Sequence, residues 1–223
     1  MDDRKQLLQR RNSAEKAALG KGSLNATIIF EICRKGDFNS LKAILNQRKD
    51  ITKLRDQNNR SLLHYCSEAK DIQCAQLLIE ASPELLTQQD NDGYSVLHLS
   101  VINSNKLLTR YLCQQYLDAS KKAQFINCSD SEGHTPFHWA TVCSEIECLE
   151  TLYNEGASAA LADNHGAFPL HYASQMCGVN NVASKSSKIR IELLKKLLSF
   201  SNVDVNCKDN DGRTPLLWAS SAG

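Results

Sequence analysis

Nine cysteines and six histidines are the residues of this 223-residue chain best suited to chemistry. Such a set suggests a zinc site, a thiol or imidazole catalyst, or a disulfide framework. The cysteines stand at 33, 66, 74, 113, 128, 143, 148, 177 and 207, an odd number with no Cys-x-x-Cys pair. A secreted disulfide framework is short and usually even-numbered. The start, Met1-Asp-Asp-Arg-Lys5, has no apolar h-region and shows no signal peptide. No apolar run approaches the ~18 residues of a membrane span. These features fit a reducing, cytosolic or nuclear compartment in which the cysteines are small apolar core residues. No P-loop, Gly-x-Gly-x-x-Gly or His-Glu-x-x-His string occurs, and no motif supplies Cys143 or Cys148 with a base and an oxyanion hole. The expectation is a chain with no catalytic residue and no cofactor.

The histidines are largely one residue repeated. Asn59-Arg-Ser-Leu-Leu-His64, Gly93-Tyr-Ser-Val-Leu-His98, Gly133-His-Thr-Pro-Phe-His138 and Gly166-Ala-Phe-Pro-Leu-His171 align, and Gly212-Arg-Thr-Pro-Leu-Leu217 continues the series. Pro136, Pro169 and Pro215 share a second slot. Asp56, Asp90, Asp130, Asp163 and Asp209 each stand three residues before the Gly or Asn. Successive histidine slots lie 34, 40, 33 and 46 residues apart. Side chains carried forward by a repeat at each step do not converge on one metal ion, whose ligands sit ~2.0–2.3 Å away. His64, His98, His138 and His171 are therefore expected to hydrogen-bond turn backbone, with no metal bound. Asp90-Asn-Asp-Gly93 and Asp209-Asn-Asp-Gly212 imitate part of a calcium loop. Gln88 and Cys207 stand where its first Asp belongs, however, and Leu99 and Trp218 where its closing Glu belongs. Cys66 shares its slot with Ala140, Ala173 and Ala219, which marks it as a core residue.

The elements that carry these slots follow from turn and cap chemistry. In Asp-x-x-Gly, the glycine supplies a positive φ and the aspartate bonds the turn backbone. Ser61, Ser95, Thr135 and Thr214 then cap a helix, and proline at its first position loses an N–H that had no helical partner. Small residues follow, as in Ala140-Thr141 and Ala173-Ser174, and allow close helix approach. A second helix carries an apolar stripe, as in Ile146, Leu149, Leu152 and Tyr153, or Ile191, Leu194, Leu197 and Leu198. A period near 33 with Thr-Pro-Leu-His is similar to the ankyrin signature. The chain thus resembles an ankyrin-repeat protein, and strings such as Thr135-Pro-Phe-His-Trp-Ala140 also resemble arrays of the inversin and diversin type. The resemblance implies an all-α ankyrin-repeat solenoid of turn–helix–helix units, none of which buries its own apolar face alone.

The units are expected at about 25–55, 56–89, 90–129, 130–162 and 163–208, with a partial one at 209–223. The first is degenerate, with Phe30 in the histidine slot. The basic segment 1–24, with Arg4, Lys5, Arg10 and Arg11, reads as disordered or as a short capping helix. The two long spacings place insertions at Gln114–Phe125 and Gly178–Ser187, the second polar and loop-like. The final unit reads as a cut through a longer array.

The resemblance places partner contacts on the turn tips and on the ends of the first helices: Arg60, Glu68, Asn91, Asp92, Tyr94, Ile102, Glu132, His134, Asn164, His165, Met176 and Arg213. Gly93, Gly133, Gly166 and Gly212 are structural turn residues. Family likeness also marks Asn206, eight residues after Leu198, as a candidate for hydroxylation. Lys and Arg number 26 against 25 Asp and Glu, and this balance disfavours nucleic acid and membrane surfaces as partners. The implied function is a protein–protein scaffold or adaptor, in the cytoplasm and, on the inversin-type likeness, at the cell cortex or cilium. The alternative is the regulatory arm of a larger acyltransferase or TRP-type channel.

Overall fold

A computed structural model describes residues 24–115, 118–177 and 185–222, which form two compact units dividing after Leu112. The segment 1–24 therefore lies outside the described residues except for Leu24. The fold is all-α, and among the described residues the only β contacts are isolated bridges, Arg55 with Ser61 and Gln89 with Ser95.

The first unit begins with α1 (Leu24–Lys35) and α2 (Phe38–Gln47). Between them Gly36 adopts φ +75°, and the Asp37 carboxylate caps α2 by accepting the Ser40 N–H at 3.1 Å. Phe30 of α1 is buried and packs on Tyr65, with ring centroids 4.7 Å apart. Next come α3 (Leu62–Tyr65), α4 (Gln73–Ala81), α5 (Val96–Ile102) and α6 (Lys106–Cys113). The core between the helices consists of fully buried aliphatic side chains and cysteines, including Leu41, Leu62, Leu63, Leu78, Cys33, Cys66 and Cys74.

The second unit opens with a departure from the sequence reading. The insertion at 114–125 contains a helix, α7 (Ala119–Ile126), capped by Asp118 through the Lys121 N–H at 2.9 Å. Phe125 and Ile126 are its buried anchors. The next residue, Asn127, accepts the Ser158 N–H at 2.8 Å, and Lys122 pairs with Glu155 at 2.5 Å. Helices α8 (Pro136–Val142), α9 (Ile146–Asn154), α10 (Pro169–Met176), α11 (Lys185–Leu198) and α12 (Pro215–Ser221) follow. Of the second insertion, residues 178–184 lie outside the described part and 185–187 already belong to α11.

Helix α11 also corrects the expected stripe. Leu193 and Leu197 are fully buried, one helical turn apart, whereas Ile191 is 42% and Leu198 48% exposed. Arg190 shares the buried side, where its guanidinium donates to the Met176 carbonyl at 3.2 Å. In α9, Leu149 and Leu152 are buried and Tyr153 stacks on Phe200 at 3.8 Å.

Candidate interaction surface

Each turn is built around its aspartate. One carboxylate oxygen accepts the N–H groups two and four residues on: Asn58 and Arg60 at Asp56 (2.9 and 2.7 Å), Glu132 and His134 at Asp130 (3.0 and 2.8 Å), Asp211 and Arg213 at Asp209 (3.0 and 2.8 Å). Asp90 and Asp163 do the same. The residue three places on has a positive φ, glycine in four turns and Asn59 (φ 61°) in the other. Successive turns are tied by asparagines. The N–H of Asn91 donates to the Asn58 carbonyl at 2.9 Å, that of Asn164 to Glu132 at 3.0 Å, and that of Asn210 to His165 at 3.0 Å.

The histidine ring joins the cap to the next turn. Nδ1 accepts the cap N–H, from Ser61, Ser95, Thr135 or Phe168, at 3.1–3.2 Å. That fixes the proton on Nε2. Nε2 then donates to the carbonyl of the following turn: His64 to Tyr94 at 3.0 Å, His138 to Ala167 at 3.3 Å, His171 to Arg213 at 2.9 Å. Burial holds His64 and His138 neutral, with pKa values pushed down to about 4. Where Ser or Thr caps, a hydroxyl stands 2.8–3.0 Å from Nδ1. Phe168 has none, and the Cys207 thiol, 3.9 Å from His171 Nδ1, occupies that position.

A further partner of the aspartates was not evident from the motifs. Nine residues after each Asp stands an aromatic with a polar edge, which donates to the second carboxylate oxygen. Tyr65 reaches Asp56 at 2.8 Å, Trp139 reaches Asp130 at 2.9 Å, Tyr172 reaches Asp163 at 2.5 Å and Trp218 reaches Asp209 at 2.8 Å. The exception is Asp90, whose ninth residue is Leu99. There the Arg60 guanidinium of the preceding turn donates instead, at 3.0 Å. His134 occupies the same turn position as Arg60 and lies 3.4 Å from both Asp130 and Asp163, with Tyr172 Oη at 3.0 Å. Burial opposes its charge, but the two carboxylates outweigh that and raise its pKa to about 9. Asp163 is held well below the usual carboxylate range despite its burial, because His134, Tyr172 and turn N–H groups bond its charged form.

This geometry sorts the proposed contacts. Arg60 is an interior ion pair with a side chain 7% exposed, because Asp90 has no aromatic donor of its own. Ile102 is fully buried on the inward side of α5, and His134 is largely enclosed. These three belong to the interior of the repeats, contrary to the surface role expected of them. Asn91 and Asn164 are exposed at their edges but donate their amides to the carbonyls of Gln57 (3.3 Å) and Ser131 (2.9 Å). Glu68 is exposed and pairs with Arg34 at 3.5 Å. Tyr94 is half-buried, edge-on to His98, and Met176 is half-buried at the end of α10. Asp92, Glu132 and His165 project from the tips, and Arg213 is half-exposed beside Asp209 and Asp211. Asn206 is exposed, its N–H bonded to Asp204 at 2.9 Å. Among the described residues no three His, Cys, Asp or Glu side chains group as metal ligands, and no helix is long and apolar enough to cross a membrane.

A family model for ankyrin repeats, in three copies, matches residues 29–124. Human inversin is 28% identical over 232 aligned positions, covering 91% of this chain and 21% of inversin. Palmitoyltransferase AKR1 of Saccharomyces cerevisiae is 35% identical over 88 residues, 40% of this chain and 11% of that protein. The chain thus spans about a tenth to a fifth of these relatives. A solved structure of an ankyrin repeat domain from Acinetobacter baumannii AYE superposes with a TM-score of 0.66 at 22% identity, covering 87% of this chain and 91% of that one.

Proposed function

Because the chain belongs to the ankyrin-repeat family, we propose that it is a non-enzymatic scaffold or adaptor that presents turn tips and helix ends to partner proteins. One observation carries this reading. The histidines and asparagine amides are tied to neighbouring turns, and the aspartates and polar aromatics hold their own, which leaves Asp92, Glu132, His165 and Gln175 exposed on a backbone already fixed. A preformed surface loses little conformational entropy on binding. The cysteines fit a cytoplasmic location, and the inversin likeness extends it to the cell cortex or cilium. Affinity capture with the chain and with a Glu132→Lys/His165→Glu variant tests the idea. The expected outcome is a set of proteins bound by the chain and lost by the variant at unchanged melting temperature. Identical capture by both would overturn the contact assignment.

The likeness to palmitoyltransferase AKR1 favours a second reading, in which the chain is the regulatory arm of a larger acyltransferase. Exposed Asn206 stays a candidate for hydroxylation under either reading. Peptide mass spectrometry of cell-derived protein is expected to show one added oxygen there, and a consistently unmodified Asn206 would end the idea.

A further inference from the structure

The segment that leads into one of the turns is smaller than its equivalents. Thr52, Leu86, Ile126 and Val205 stand four residues before their turn aspartates, but Ala159 holds that slot before Asp163. The next slot is Ala160, against Lys53, Thr87, Asn127 and Asn206. Leu86 and Ile126 are buried and fill the interior of their repeats. Beside Ala159 and Ala160 lies instead a cavity of about 320 Å³, within the second unit. Its walls come from both sides, from these two alanines before one turn and from the segment 202–208 before the next. The volume falls at the small end of the roughly 300–1,000 Å³ of small-molecule sites.

The lining decides the occupant. Leu170 and Val203 contribute to it, and Phe168, which replaces the Ser or Thr of the other caps, adds an aromatic ring. Burial and the nearby Asp204 charge push the Cys207 thiol up to about 11, so that it stays a neutral part of the wall. Two opposite charges complete the lining, Asp204 and Lys208, both exposed. The Asp204 carboxylate accepts the Asn206 N–H at 2.9 Å, and among the described residues neither charge is in an ion pair. Apolar surface beside one available anion and one available cation is complementary to an apolar body that carries both an ammonium and a carboxylate.

We propose that this cavity binds a free α-amino acid with a large apolar side chain. The side chain enters between Ala159, Phe168 and Leu170, the carboxylate meets Lys208 and the ammonium meets Asp204. The inference is independent of the scaffold reading.

Methyl NMR of the full chain, titrated with L-leucine and with L-phenylalanine, tests it. The expected result is a saturable shift of the Ala159, Leu170 and Val203 methyl signals, with those of Leu63 and Leu97 unmoved. L-Alanine should bind about tenfold more weakly or worse, because it buries no large side chain. 3-Phenylpropionate, which lacks the ammonium, and 2-phenylethylamine, which lacks the carboxylate, should each bind about three- to fivefold more weakly than phenylalanine. Ala159→Leu restores the side chain of the Leu86 slot. It should abolish the shifts and melt no lower than the parent, since it fills a cavity. Lys208→Gln changes an exposed side chain and should keep the parent's melting temperature, while phenylalanine loses its advantage over 2-phenylethylamine. No saturable shift with either amino acid, equal binding of 3-phenylpropionate and phenylalanine, binding that survives in a folded Ala159→Leu chain, or an unchanged preference in Lys208→Gln would each overturn the proposal.

Discussion

His64 and His138 share one slot, and burial holds both near pKa 4, well under the ordinary 6.5 of an exposed histidine. The unfolded chain takes up these protons below about 6.5 while the folded chain refuses them until about 4. Stability is therefore complete above that range and falls as pH drops through it, by up to about 3 kcal/mol for each ring. Urea midpoints measured at pH 7 and pH 4.5 should show the loss. His134 has the opposite sign. Its raised value, about 9, makes its contribution complete below 6.5 and lost as pH rises through 9. His134→Arg should abolish the alkaline loss, since Arg60 makes the equivalent forward contact with a permanent charge. His138→Ala should cost about 1–3 kcal/mol, because it orphans the Thr135 N–H and the Ala167 carbonyl. The sequence reveals that these histidines are structural, from their recurrence alone. It does not reveal that they bond forward, because the acceptor is a backbone carbonyl of any residue type: Tyr94, Ala167 or Arg213. The aromatic donors did leave a trace. A polar-edged aromatic stands nine residues after four of the five aspartates, and a chain read for histidines passes over it.

At the scale of the element, the turn glycines are unequal. Gly133 has φ +86°, and a Cβ there would stand 2.5 Å from the Asn164 backbone nitrogen. Gly212 has φ +75° with nothing within 4 Å. Both changes to alanine meet the left-handed penalty of about 1–2 kcal/mol. Gly133→Ala should cost more, because it also pushes the next turn off its hydrogen bond, and the two melting temperatures compared side by side would show it. Helix starts were legible because caps and prolines are local. The helix in the first insertion was not, since Asp118 is its only strong start signal and the burial of its anchors Phe125 and Ile126 is decided by the fold. The shifted stripe on α11 has the same origin. Of the expected stripe Leu197 is buried, Leu194 is half-buried, and Ile191 and Leu198 are exposed, while Leu193 is buried in their place, a choice that only tertiary packing makes.

At the scale of the molecule, six of the nine cysteines that first suggested metal or redox chemistry are buried and three are half-buried. Mild labelling of the folded chain should modify Cys128, Cys177 and Cys207, and the remaining six only after denaturation. Fast labelling of Cys66 would contradict the packing described. Finally, the forward bond of each histidine crosses very different lengths of chain, 30 residues from His64, 29 from His138 and 42 from His171. The acceptor is reached wherever the next turn is delivered, so the contour length between turns is free while their register is not. Such a chain accepts residues added or removed beyond the first helix of a repeat, as the longest interval already shows. A single residue gained or lost between an aspartate and its histidine would uncouple the bond at both ends.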